Sequence, residues 1–157
     1  MNDQELKKLV KKDKHQVFLF ACPVSVPLNF ALHPWFVINK QGAVSRWEVL
    51  FRNKVHTTRW GHLYLNFFSP FQGIEVSPFS QKHFWKVKLL GFIEGDGGSV
   101  AERIAEFIEN SKKAYPYRYK YSLTSINSNT YAQWVLSNFP EFKVKLPWNC
   151  FGKNCEI

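Results

Sequence analysis

The sequence predicts an α+β domain in which an antiparallel sheet is covered on one side by two helices. Three observations lead there. Segments "QVFLFA", "FALHPWFVIN" and "AVSRWEVLFR" are rich in β-branched and aromatic residues, and "NKQGA" between the last two is a hairpin turn signal. Ser99 and Glu102 form a capping box ahead of "VAERIAEFIENSKK", whose apolar residues Val100, Ile104, Phe107 and Ile108 recur at helical spacing. A second helix is expected over roughly Asn129–Asn138, halted by Pro140.

In chain order, residues 3–13 ("DQELKKLVKKD") place Leu6, Leu9 and Val10 on one face of a short basic helix. Residues 1–14 are therefore read as a basic N-terminal helical arm, and residues 15–157 as a single domain. After the strands that begin at Gln16, the stretch "HTTRWGHLYLNFFSPFQGIEVSPFS" is broken by prolines and glycines, which argues for a long loop over one end of the sheet. A further long strand is expected over His83–Gly95, ended by "EGDGG". The tail "FKVKLPWNCFGKNCEI" alternates like a strand and then turns. There are no internal repeats.

A chain of 157 residues, 45% apolar, can bury one sizeable core. Its 15 Phe, 6 Trp and 6 Tyr point to rigid aromatic packing, with the six tryptophans in the core and at its rim. Lys and Arg outnumber Asp and Glu by 21 to 12, a formal charge of +9 that suits an anionic partner, although five of the lysines lie within the first fourteen residues. The three cysteines, Cys22, Cys150 and Cys155, have neither CxxC nor zinc-ligand spacing, so free thiols are expected, with a Cys150–Cys155 bridge as the alternative if the tail curls, and with no metal and no cofactor. The apolar run "VFLFACPVSVPLNFAL" holds prolines, lacks a small-residue cleavage site and is too short to span a bilayer. A cytoplasmic protein without a transmembrane segment is expected.

Chemistry concentrates at "INSNTYAQWVL". Ser128 stands where a loop passes into a helix, a place where unpaired N–H groups and the helix dipole favour a developing anion. A serine nucleophile needs a base, and five histidines are available: His15, His33, His56, His62 and His83. His33 is singled out because its strand neighbours are apolar. A two-residue turn at Gln41–Gly42 would place Glu48 opposite Trp35, on the sheet face from which it could orient His33, whereas a one-residue slip would turn it away. Three readings of Ser128 stay open: a helix cap, a nucleophile, or part of a binding cleft. Asn127 and Asn129 are candidate donors to an oxyanion.

Taken together, "HPWFVI", "RW", "YPYRYKY", "NSNT" and "LPWNCFGKN" resemble, in their order, the motifs of a bacterial family known only as domain-of-unknown-function family 3750. The resemblance runs from about His33 to Asn154. The layout, strand histidine first and nucleophile-bearing helix last, is also similar to circularly permuted papain-like enzymes, such as NlpC-type peptidases and relatives of lecithin:retinol acyltransferase. There a helix opens with an Asn-Cys pair, and Asn127 and Ser128 fit with serine at the cysteine position. That similarity implies a papain-like fold and a hydrolase or acyltransferase acting on a small-molecule, peptide or acyl substrate, with Ser128, His33 and Glu48 as its catalytic set.

The competing class is a non-catalytic protein that holds an anionic ligand in a basic aromatic groove. Its residues would be Arg59, Trp60, Tyr117 and Arg118, helped by Arg46 and the lysine-rich arm, because alternating tyrosines and cations can stack on rings and engage phosphates. No recognised nucleic-acid motif accompanies them.

Overall fold

The structure is a computed structural model that describes residues 3–52 and 58–156. Its elements, in chain order, are α1 (Asp3–Lys7), β1 (His15–Pro23), β2 (Leu32–Lys40), β3 (Ala43–Val49), β4 (Arg59–Trp60), β5 (Leu63–Leu65), β6 (Glu75–Ser77), β7 (Ser80–Phe84), β8 (Lys88–Gly95), α2 (Val100–Ala114) and α3 (Ser128–Asn138). The α+β architecture expected from the sequence is present. Six strands form one sheet in the order β4-β5-β3-β2-β1-β8, with every neighbouring pair antiparallel, and α2 and α3 pack on it.

Alternation along the strands sends side chains to two distinct cores. Toward the helices, Val17, Leu19, Phe36, Ile38, Trp47 and Val49 meet Ile104, Ala105, Ile108, Tyr131 and Val135. Each buried aliphatic on this face contributes roughly 1.5–3 kcal/mol relative to exposure. Away from the helices, Phe18, Phe20, Cys22, Trp35, Val37 and Tyr64 meet Phe68, Phe71, Ile74 and Leu6. Strand β1, paired along both edges by β2 and β8, is therefore buried on both faces.

The covering of that second face corrects the expected long loop. The stretch contains β4 and β5, which extend the sheet, and the hairpin β6–β7, while Phe68, Phe71 and Ile74 seal the core between them. Prolines and glycine there break regular pairing, and the stretch still buries Phe68, Phe71 and Ile74 while Phe79 stays exposed. The run His83–Gly95 is likewise two strands, not one: β7 ends at Phe84, the Trp85 N–H bonds the Ile74 carbonyl at 3.0 Å, and β8 starts at Lys88 to pair with β1. Among the described residues no strand forms in the tail. Val144 lies over Gly91, where a Cβ would come within 2.4 Å of its Cγ2, and Leu146 and Cys150 drop into the helix-side core. All three cysteines are free thiols.

Helix α1 is shorter than residues 3–13, and the segment between it and β1 is pinned by side chains of the sheet. Asn39 Nδ2 donates to the Lys11 carbonyl at 2.8 Å, Gln16 Nε2 donates to the Leu9 carbonyl at 2.9 Å, and Leu6 is fully buried. Among the described residues no helix is long and apolar enough to cross a membrane.

Candidate functional site

The hairpin between β2 and β3 sets the register of the site. Gln41 and Gly42 both take positive φ, 53° and 98°, the two-residue turn whose twist matches a tight hairpin. Lys40 then pairs with Ala43, and the ladder runs to Phe36 opposite Trp47. One step further puts Glu48 beside Trp35, with His33 its diagonal neighbour on the same face. His33 Nε2 lies 2.9 Å from Glu48 Oε2.

Ser128 comes from the other side, at the first position of α3. Asn127 is the cap of that helix: its Oδ1 accepts from Asn129 N–H at 2.9 Å, and its own N–H donates to Thr130 Oγ1 at 3.1 Å. The cap role considered for the serine thus falls to its neighbour. Ser128 Oγ is left 3.1 Å from His33 Nδ1, both side chains buried. The cap takes the amides of Asn129 and Thr130, and Tyr131 N–H bonds the Asn127 carbonyl, so the Ser128 N–H is the first-turn donor that the cap leaves out. Gly152, at φ 93°, lets the tail close over this turn, where a Cβ would meet the Ser125 carbonyl at 2.5 Å.

The side-chain amides of Asn127 and Asn129 do not point donors at Ser128. Asn127 Nδ2 donates to the Leu123 carbonyl at 3.1 Å and Asn129 Nδ2 to the Phe151 carbonyl at 2.8 Å. Both residues still line the cavity in front of Ser128. Asn129 Oδ1 is buried without a hydrogen-bond partner.

Arg46 completes the chain of contacts. Considered from the sequence as a cation for an anionic ligand, it is fully buried, two residues before Glu48 on the same face. Its guanidinium donates to Glu48 Oε2 at 2.6 Å and to the Ser69 carbonyl at 3.0 Å, reaches the Gln72 carbonyl, and lies 4.2 Å over the Trp35 ring. Burial alone would push the Glu48 carboxyl up, but Arg46 and then His33 outweigh it and hold the group below the ordinary carboxylate value. An ionised Glu48 can only accept, so His33 Nε2 carries the hydrogen of that contact. The tautomer that carries its hydrogen on Nε2 presents the Nδ1 lone pair to the Ser128 hydroxyl.

The serine and the histidine open into a cavity of about 730 Å³. Residues 24–28 and 30–32, the end of β3 with Leu50 and Phe51, Ile74, Leu123 and Phe151 surround it, and its walls are mainly apolar.

Other candidates lie elsewhere. Arg59, Trp60, Tyr117 and Arg118 are not among the cavity walls. Trp60 stacks on Trp47 at 5.9 Å, Arg59 sits 5.7 Å over Tyr64, Tyr117 donates to the Glu156 carbonyl at 3.1 Å, and Arg118 donates to the Lys113 carbonyl in the last turn of α2 and to the Tyr115 carbonyl just after it. His62 Nδ1 contacts the Leu50 carbonyl, His15 faces Glu102 at 3.4 Å, and His83 belongs to β7. His56 lies outside the described residues. Among the described residues no group of His, Cys, Asp or Glu is placed to hold a metal ion.

Compared with protein-family models, residues 14–155 match the family described as "Protein of unknown function (DUF3750)". The chain belongs to that family. No curated protein and no solved structure matches it, so the likeness to papain-like enzymes finds no support in these comparisons. For a DUF3750 protein, the buried chain Ser128–His33–Glu48–Arg46 is therefore the description of the site that the structure itself supplies.

Proposed function

We propose that this protein is a serine-dependent hydrolase or acyltransferase, with Ser128 as nucleophile, His33 as general base and Glu48 as the residue that orients and polarises His33. The observation that carries the reading is the continuous relay of 3.1 Å from Ser128 Oγ to His33 Nδ1 and 2.9 Å from His33 Nε2 to Glu48 Oε2, inside a cavity wall. Both distances fall within the reach expected of a nucleophile, its base and the group that orients the base.

In this mechanism Ser128 Oγ attacks an acyl carbonyl while its proton passes to His33 Nδ1, and the imidazolium so formed is stabilised by the Glu48 carboxylate. The oxyanion faces the N-terminus of α3, where the Ser128 N–H is the nearest uncapped amide. His33 Nδ1 returns the proton to the leaving group, leaving an acyl-serine and a neutral ring. Water, or an acceptor alcohol or amine, then repeats the sequence in reverse and frees Ser128. Arg46 holds Glu48 ionised and fixed, a positioning role.

Replacing Ser128 by cysteine tests the arrangement through a different chemistry. Burial pushes the Cys22 and Cys150 thiols up to about 12 and about 11, so neither competes for an alkylating reagent at neutral pH, and Cys155 is removed by Cys155→Ser. In that background Ser128→Cys is expected to alkylate with iodoacetamide well below the pH at which a free thiol reacts, because His33 and the helix N-terminus stabilise the thiolate. Adding His33→Ala should return the rate profile toward that of an ordinary thiol. A Ser128→Cys thiol that is slow at pH 7 and unchanged by His33→Ala contradicts the proposal.

A further inference from the structure

The cavity in front of Ser128 has a second polar point, away from the serine. Among the described residues that line it there is no Lys, Asp or Glu, and Arg52 is the only Arg. His33, Asn127, Ser128 and Asn129 make one polar end, whereas Arg52 enters from the chain that leaves β3. It follows Glu48 by four residues, at most about 14 Å of extended chain, so one small ligand can reach from the relay to the guanidinium.

Arg52 is held in place. Its Nη2 donates to Glu75 Oε2, its guanidinium lies 5.7 Å from the Phe67 and Phe68 ring centres, and its carbonyl accepts from the Tyr64 hydroxyl at 3.2 Å. Glu75 is buried and is not a cavity wall, so it grips the guanidinium from behind. A guanidinium carries five N–H donors in a rigid fork, more than this one contact uses. Among the described residues no second acceptor meets Arg52, and none of its nitrogens is sealed off, so the rest of the fork stays accessible.

That arrangement suits an anion. A planar carboxylate takes two parallel N–H···O bonds from such a fork, and no acid on the wall repels it. A wholly apolar ligand filling the cavity would instead strip water from the open donors and leave them unpaired, which is costly. The walls between the two polar points, among them Leu32, Leu50 and Ile74, are apolar.

Resting on the nucleophile reading, we infer that Arg52 determines specificity and that the transferred acyl group ends in a carboxylate. Arg52 takes the carboxylate, a short run of methylenes lies along the apolar wall, and the reacting carbonyl comes to Ser128. Glu75 is the positioning residue that aims the fork.

Calorimetric titration of Ser128→Ala tests the binding without turnover, with monomethyl adipate as the anionic probe and dimethyl adipate as its neutral counterpart. The monoester is expected to bind at least tenfold more tightly, the effect of a hydrogen bond to a charged group. Arg52→Gln alone would strand the buried Glu75, so the test variant carries Arg52→Gln with Glu75→Gln, and it should abolish the difference. Glu75→Gln by itself leaves Arg52 uncompensated and is expected to increase the preference for the anion, the opposite of what a purely structural ion pair predicts. In the serine protein, kcat/KM for mono-p-nitrophenyl adipate is expected to exceed that for p-nitrophenyl hexanoate at least tenfold, and the double substitution should bring the ratio to about 1. Equal binding of the two adipates, or a preference that survives the double substitution, would overturn the inference while leaving Ser128 a nucleophile. Arg52-dependent binding of the monoester with no turnover of any ester supports the carboxylate site and instead removes the catalytic reading.

Discussion

Replacing Arg46 by methionine keeps much of the side-chain volume beneath Trp35 and removes the charge that offsets Glu48. Three interactions go with it: the 2.6 Å contact to Glu48 Oε2 and the donors to the Ser69 and Gln72 carbonyls. Removing one partner of a buried ion pair costs about 3–5 kcal/mol, because the remaining charge is left uncompensated. For a domain of this size that corresponds to a fall in Tm of about 6–20 °C. The pH dependence carries the sharper information. With Arg46 present, Glu48 lies below its ordinary value, so the stability it contributes is complete above about pH 4.5 and is lost as pH falls through the lowered value. Without Arg46 burial dominates, the Glu48 value rises, and the penalty is relieved as pH falls through it. The gap between the two proteins is thus widest near pH 7 and narrows toward pH 4. Urea denaturation at both pH values measures it, and Glu48→Gln combined with Arg46→Met should cost less than the sum of the two alone. A cost under about 1 kcal/mol at pH 7, or an equal gap at both pH values, would refute the argument that Arg46 is what keeps Glu48 ionised.

Two further outcomes check other parts of the fold. Gly61→Ala forces a side chain into φ 64° and toward the Arg118 carbonyl, 2.1 Å from the new Cβ, and is expected to cost about 2–4 kcal/mol in thermal unfolding. In the native protein a disulfide-exchange reagent at pH 8 should titrate Cys155 rapidly and reach Cys22 and Cys150 only after denaturant is added, since burial has pushed both of those thiols up. Fast reaction of all three would place the two buried cysteines elsewhere.

The parts of this molecule that were legible in its sequence are those fixed by local chemistry. The Gln41–Gly42 turn determines the β2–β3 register, and through it the face on which Glu48 and His33 meet. The Ser99 cap, whose hydroxyl accepts from Glu102 N–H, and the halt before Pro140 bounded both large helices, although the expected capping box is incomplete because the Glu102 carboxylate takes the Gly98 amide and the Ser99 amide bonds the Asp96 carbonyl. Illegible were features decided by contacts between distant segments. Phe68, Phe71 and Ile74 have no strand or helix period, yet they form the lid of the second core because the sheet face beneath them is apolar. The alternation of "FKVKL" is strand-like, but no sheet edge receives it, and Val144 instead fills the space left by Gly91. At the site, Ser128 could be located from "NSNT", whereas the role of Arg46 could not. A cation two residues from Glu48 is ordinary in sequence, and only the burial of both gives it meaning.

The reactivity of Ser128 decides the proposed chemistry. Incubation of the native protein with a fluorophosphonate, with the adduct then located by peptide mapping in the mass spectrometer, tests this most directly. A single adduct on Ser128, lost in His33→Ala and strongly slowed in Glu48→Gln, is the predicted result. A folded protein that takes no adduct at Ser128, or takes it equally well with His33→Ala, would contradict the claim that this buried relay activates a serine.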